Sequence, residues 1–297
     1  MKQALRNISL SFTLGYIVMF LSEFLFWAKP ENNTDSAAVL ITWLVYSALA
    51  FIFLILIKTF NVNNFYSLFI AAAALGWLGE GLVVQTMYDT FPLNISWTGL
   101  AWHALISVII GWYYLRKVLA ENNYLKTILI SSIIGFSYGF WAIFWWIDKG
   151  IVITLKSFSI YSILITIPFI LSHYLYNKLN PTKFNPSKTS IWIITIIFIL
   201  YYIFITIPAN IMSLILLPLL YLLYFTLKKN KSKENLFNQI NIKPLNYLLL
   251  FFIPIVAILF YAFALAINLK FLSNLVIYFI TMPLGFILLI RSIKKTL

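Results

Sequence analysis

The 297-residue chain has no cysteine, only two histidines and only eight Asp or Glu. Without thiols there is no disulfide, no iron–sulfur cluster and no thiolate zinc site or nucleophile. The two histidines, His103 and His173, are too few for a three-histidine zinc centre. Charged residues make up 10% of the chain, against about 25% in soluble domains, while 62% is hydrophobic and 19% aromatic. A soluble enzyme is excluded on that composition. Phosphate-cradling glycine loops, HExxH, GxSxG and aspartate-rich diphosphate motifs are all missing, so no cofactor or metal is expected.

What the chain has instead is apolar length. A bilayer core of roughly 30 Å takes about 20 apolar residues per helix. That window predicts spans at Ile8–Ala28, Ala37–Ile57, Phe65–Tyr88, Trp97–Leu115, Thr127–Ile147 and Phe158–Tyr176. The run from Ile191 to Leu227 is uncharged and too long for one crossing. Pro208-Ala209-Asn210 at its centre splits it into Ile191–Ile207 and Ile211–Leu227. Leu245–Ile267 and Asn274–Ile290 complete an all-α polytopic bundle of about ten transmembrane helices.

The net charge of +13 suggests a nucleic-acid binder until the charges are placed. With the N-terminus inside, 17 of the 21 Lys and Arg fall in cytoplasmic segments, among them Arg116, Lys117 and the cluster Lys228–Lys243. Only Lys29, Lys149, Lys156 and Lys270 fall outside. The charge is therefore an orientation code, with both termini cytoplasmic and no nucleic-acid partner. The first span reads as a retained signal anchor in the cell membrane, since no A-x-A site follows it.

The two halves differ. Nine of ten glycines lie at or before Gly150, and nine of ten tryptophans at or before Trp146. Residues 1–150 are expected to carry the chemistry. Residues 151–297 are expected to form a hydrophobic scaffold, facing lipid or a protein partner. Small residues recur every fourth position in the first half: Ser11, Gly15, Met19, Glu23; Ala72, Gly76, Glu80; Gly99, His103, Ser107, Gly111; Ser131, Gly135, Gly139. Such stripes let helix backbones approach in lipid. They also turn Glu23, Glu80 and His103 toward neighbouring helices.

Ionisable groups inside a span are costly and usually face a partner or a wet cavity. At 1.5 Å per residue, Glu23 lies roughly 8 Å, Glu80 roughly 12 Å and His103 roughly 9 Å from the outer end of its span. Glu80 and His103 are thus expected to form an acid–base pair, as the catalytic residues if the chain is an enzyme. Glu23, Gln85, Asp89 and Trp102 are expected to bind substrate or couple protons. Trp97 and Tyr138 are further expected walls, with Asp148 at the mouth. The competing reading is a purely structural hydrogen-bonded pair.

Phe169-x-x-x-His173-x-x-x-Asn177 is similar to elements of the prenyl-protein protease family of intramembrane peptidases, over nine residues. That family's paired glutamates followed by arginine are absent, and His173 reads as an interfacial histidine near the cytoplasmic side. Ten helices in a chain of this length also resemble, in topology alone, the drug/metabolite transporter superfamily, whose internal repeat is missing here. Three functions follow from these readings. One is a permease for a small solute or lipid-like molecule. The second is an intramembrane enzyme using Glu80 and His103. The third is an accessory subunit that binds other helices through residues 151–297.

Overall fold

The computed structural model describes residues 2–28, 36–231 and 241–297. Lys29 and Lys233, counted above among the loop charges, lie outside the described residues. Among the described residues, ten helices are long and apolar enough to cross a membrane. They are α1 Gln3–Trp27, α2 Ser36–Thr59, α3 Phe65–Val83, α4 Ile95–Ala120, α5 Tyr124–Asp148, α6 Leu155–Leu179, α7 Lys188–Ala209, α8 Ile211–Lys228, α9 Pro244–Ala266 and α10 Ser273–Thr296. No strand occurs among the described residues. The chain is a multi-pass helical membrane protein.

Hydrogen bonds between loops fix which ends lie together. Gln3 donates to the Lys183 carbonyl, Lys58 to that of Phe184, Asn122 to that of Asn241 and Asn230 to that of Asn61. These contacts define one face, called here the N-terminal face. At the opposite, distal face Trp141 and Trp145 both donate to the Phe26 carbonyl, and Tyr261 donates to that of Ile153. Each helix therefore runs from one face to the other. The α7–α8 break falls at Asn210, whose side chain caps the following turn by accepting from Met212 N–H.

Small residues set the packing. Helices α1, α3 and α4 form the centre, with α2 and α6 against α1, α10 across α3 and α4, and α9 against α5. A Cβ on Gly76 would strike the Gly99 carbonyl, and one on Gly135 the Ile253 carbonyl. These two glycines let α3 meet α4 and α5 meet α9 at backbone contact. Burial follows: 78% of the central window of α1 and 83% of that of α3 is buried, against 11% for α7 and 17% for α10. The outer helices show the bilayer large side chains such as Trp192, Phe204 and Phe279.

Two span boundaries and the placement of one histidine differ from the sequence reading in ways that bear on the site. The third span stops at Val83, five residues before the predicted Tyr88, because Gln85 takes a left-handed conformation (φ 69°) that ends the helix. Glu80 thus sits three residues from its helix end, nearer the distal face than predicted. The fourth span continues to Ala120, so Arg116 is buried inside a helix and does not lie in a solvated turn. His173 is likewise no interfacial group: it is 1% exposed, edge-on to Phe169 with ring centres 4.7 Å apart.

Candidate functional site: an acid–imidazole cavity

The site is built where three helices change their winding. In an α-helix each N–H reaches the carbonyl four residues back, and five-residue π-type reaches widen the turn and often mark functional positions. α1 winds this way over Phe20–Phe24, α3 over Leu78–Val83 and α4 over Ile95–Tyr114. The Leu25 N–H reaches the Phe20 carbonyl, Val84 reaches Gly79, and Leu115 reaches Ile110. These three segments carry Glu23, Glu80 and His103. A fourth, Tyr202–Thr206 in α7, touches the same region through Thr206, which donates to the Leu82 carbonyl at 2.7 Å.

Glu80 and His103 are in direct contact, His103 Nε2 lying 2.6 Å from Glu80 Oε1. Both are buried, at 8% and 2% exposure. The other carboxylate oxygen of Glu80 accepts from the Thr86 hydroxyl. The opposite ring nitrogen, Nδ1, is 2.9 Å from Ser22 Oγ, and Ser22 Oγ is 2.8 Å from Ser107 Oγ. Ser107 can in turn donate to the Trp102 carbonyl at 3.0 Å. Glu23 stands alongside, accepting from the Tyr46 hydroxyl at 2.5 Å, and the Tyr46 ring lies 6.1 Å from that of His103.

This connected set can hold protons in two arrangements. In one, Ser107 donates to Ser22, Ser22 to Nδ1, and Nε2–H to Glu80. In the other, Ser107 donates to the Trp102 carbonyl, Ser22 to Ser107, and a protonated Nδ1 to Ser22. The second arrangement carries one proton more on the Glu80–His103 pair. Reversing two hydroxyls therefore lets the pair take up a proton delivered from the cavity, or release one to it, without moving a helix, because each hydroxyl both donates and accepts.

Glu23, Glu80 and His103 border one cavity of about 360 Å³, together with Ser22, Phe26, Trp27, Thr86, Asn94, Trp97, Thr98 and Trp102. A second, apolar cavity of about 270 Å³ adjoins it, lined by Leu21, Leu25, Ile106, Ile133, Tyr138, Trp141 and Ile280 among others. Trp102 forms a wall of both, held by its Nε1–H donating to the Ser22 carbonyl at 2.9 Å.

Four of the six residues singled out in the sequence thus come together: Glu80, His103, Glu23 and Trp102. The other two do not. Gln85 is taken up in the left-handed turn and lines neither cavity, while Asp89 is exposed at the end of the following turn. Tyr138 walls the apolar cavity and shares a 3.1 Å hydrogen bond with Ser162, and Asp148 pairs with Lys149 at 3.5 Å. Sequence reasoning missed Ser22, Tyr46, Thr86 and Ser107. Ser22 and Ser107 were within reach, one beside Glu23 and the other on the His103 stripe. Among the described residues, no group of three or more His, Asp and Glu is placed to hold a metal ion. Comparison with protein-family models, curated proteins and solved structures finds no match to this chain.

Proposed function

We propose that the protein is a proton-coupled permease of the cell membrane for a small amphiphilic or lipid-like molecule. The observation that carries this reading is the chain Glu80–His103–Ser22–Ser107. It begins at the distal cavity and runs inward along α1 and α4, so a proton taken from the ligand site has a partner one helical turn deeper. The paired cavities give the ligand its character. A polar or basic group fits beside Glu23 and Glu80, and an apolar body fits on the other side of Trp102.

The absence of cysteine makes the test direct, since each introduced thiol is the only one. In a permease the floor of the site must open at times to the N-terminal face. Thr98→Cys should react with a membrane-impermeant maleimide from the distal face. Ser107→Cys should react from the N-terminal face under an imposed proton gradient. A Ser107→Cys that stays unreactive from that face under every gradient rejects transport. The contact of an acid and an imidazole in a cavity that adjoins an apolar one favours the second reading, an intramembrane enzyme. That reading requires turnover of a lipid extract, lost in Glu80→Gln.

A further inference from the structure

Arg116 is the charged group that the Glu80–His103 cavity leaves unexplained. It lies on α4, four residues before the helix end at the N-terminal face, with 4% exposure. A guanidinium stays protonated in any protein environment, so it cannot escape burial by losing its charge. A buried ion without a counter-ion is strongly unfavourable. The described ion pairs are Glu80–His103, Glu121–Lys126 and Asp148–Lys149, and none includes Arg116.

Its neighbours among the described residues carry no negative charge. Of the five guanidinium N–H groups, Nε–H alone finds an acceptor among the described residues, Oδ1 of Asn177 at 2.5 Å. The cation stands 5.6 Å from the centre of the Tyr176 ring. Its terminal nitrogens do not count among the fully enclosed polar atoms. Asn177 spends its amide on the Tyr247 hydroxyl, donating at 2.8 Å, which leaves the phenolic proton available. Lys178, next to Asn177 in sequence, is exposed, its ammonium 5.6 Å from the Tyr174 ring centre. The unused guanidinium N–H groups, the phenolic proton of Tyr247 and a cation without a counter-ion among the described residues, gathered between α4, α6 and α9, form the complement of an oxyanion.

We infer that this cluster binds a phosphate-type oxyanion, held by the free edge of the Arg116 guanidinium and by Tyr247. The guanidinium fork matches two phosphate oxygens at once. The anion is either the headgroup of an anionic lipid in the adjoining leaflet or free phosphate. This site is on the opposite face from the acid–imidazole cavity and stands whether or not that cavity transports.

Asn177→Asp provides the decisive variant. It sets a carboxylate where the amide now is, so the side chain supplies the counter-ion, still accepts from Arg116 Nε–H and now accepts from the Tyr247 hydroxyl as well. The full chain is placed in phosphatidylcholine nanodiscs, and unfolding is followed by tryptophan fluorescence. One arm adds inorganic phosphate at constant ionic strength; the other replaces part of the lipid by phosphatidylglycerol. Wild type should gain several degrees of Tm in one arm, and that arm identifies the source. Asn177→Asp should start from a higher Tm in phosphatidylcholine and respond to neither. Arg116→Gln should be less responsive than wild type in the same arm, whatever its own starting Tm. A wild type that responds to neither anion overturns the inference, as does a response that persists unchanged in Asn177→Asp or Arg116→Gln.

Discussion

At the scale of single residues, the question is whether the Glu80–His103 contact serves as a strut or as a proton site. Removing one partner of a buried pair costs about 3–5 kcal/mol, because the other is left without compensation. His103→Ala should therefore lower unfolding stability by about that amount. His103→Gln keeps an N–H that can reach Glu80, so most of the stability should return. The glutamine amide does not titrate, so proton exchange should not return with it. Measuring unfolding and proton uptake in proteoliposomes for both variants separates the two roles. Full function in His103→Gln would make the contact a strut. Thr86→Val, which strips a donor from the other Glu80 oxygen, should cost about 1.5–3 kcal/mol in the same unfolding assay, the range for hydrogen bonds to charged groups. Thr86→Ser should cost much less. Glu80 and His103 were legible in the sequence because ionisable groups in apolar spans are rare. Thr86 was not, since a hydroxyl in a turn costs nothing in water or in lipid headgroups and so leaves no mark on the pattern.

At the scale of helices, glycine decides where backbones touch. Alanine at Gly76 would place its Cβ against the Gly99 carbonyl, which belongs to the neighbouring helix backbone and cannot swing aside. Gly76→Ala should push α3 from α4, cost about 1–3 kcal/mol or more, and lengthen the Glu80–His103 contact. Gly79→Ala, three residues on, meets only the end of the Leu49 side chain at 3.5 Å, an ordinary contact. It should leave stability within about 0.5 kcal/mol of wild type. Thermal unfolding of the two variants side by side checks the contrast, and equal losses would mean that the α3–α4 contact is not set by Gly76. The four-residue stripes made these interfaces readable before any coordinates, and so did the Pro208-Ala209-Asn210 break. The π-type winding was not readable. It adds one residue to a turn without altering composition, over the segments that carry Glu23, Glu80 and His103.

At the scale of the whole molecule, the loops that hydrogen-bond to one another across the N-terminal face are the ones rich in lysine and arginine. Lys58, Asn122, Lys183, Asn230 and Asn241 meet there, while the distal loops carry little positive charge. By charge alone, Arg116 is one more unit of that code. Charge counting cannot tell a solvated arginine from one drawn into a helix interface, and burial alone separates the two. Basic loops are retained on the cytoplasmic side during insertion, so the N-terminal face should be cytoplasmic and the acid–imidazole cavity should open outward. Single thiols in the cysteine-free chain decide this. Val152 and Leu93, exposed in distal loops at 57% and 49%, should react as Val152→Cys and Leu93→Cys with an impermeant maleimide on intact cells. Thr182→Cys and Asn241→Cys, exposed on the N-terminal face, should react only after permeabilisation. The reverse pattern would place the Glu80–His103 cavity on the cytoplasmic side, reverse the direction of proton coupling, and leave Arg116 facing the outer leaflet.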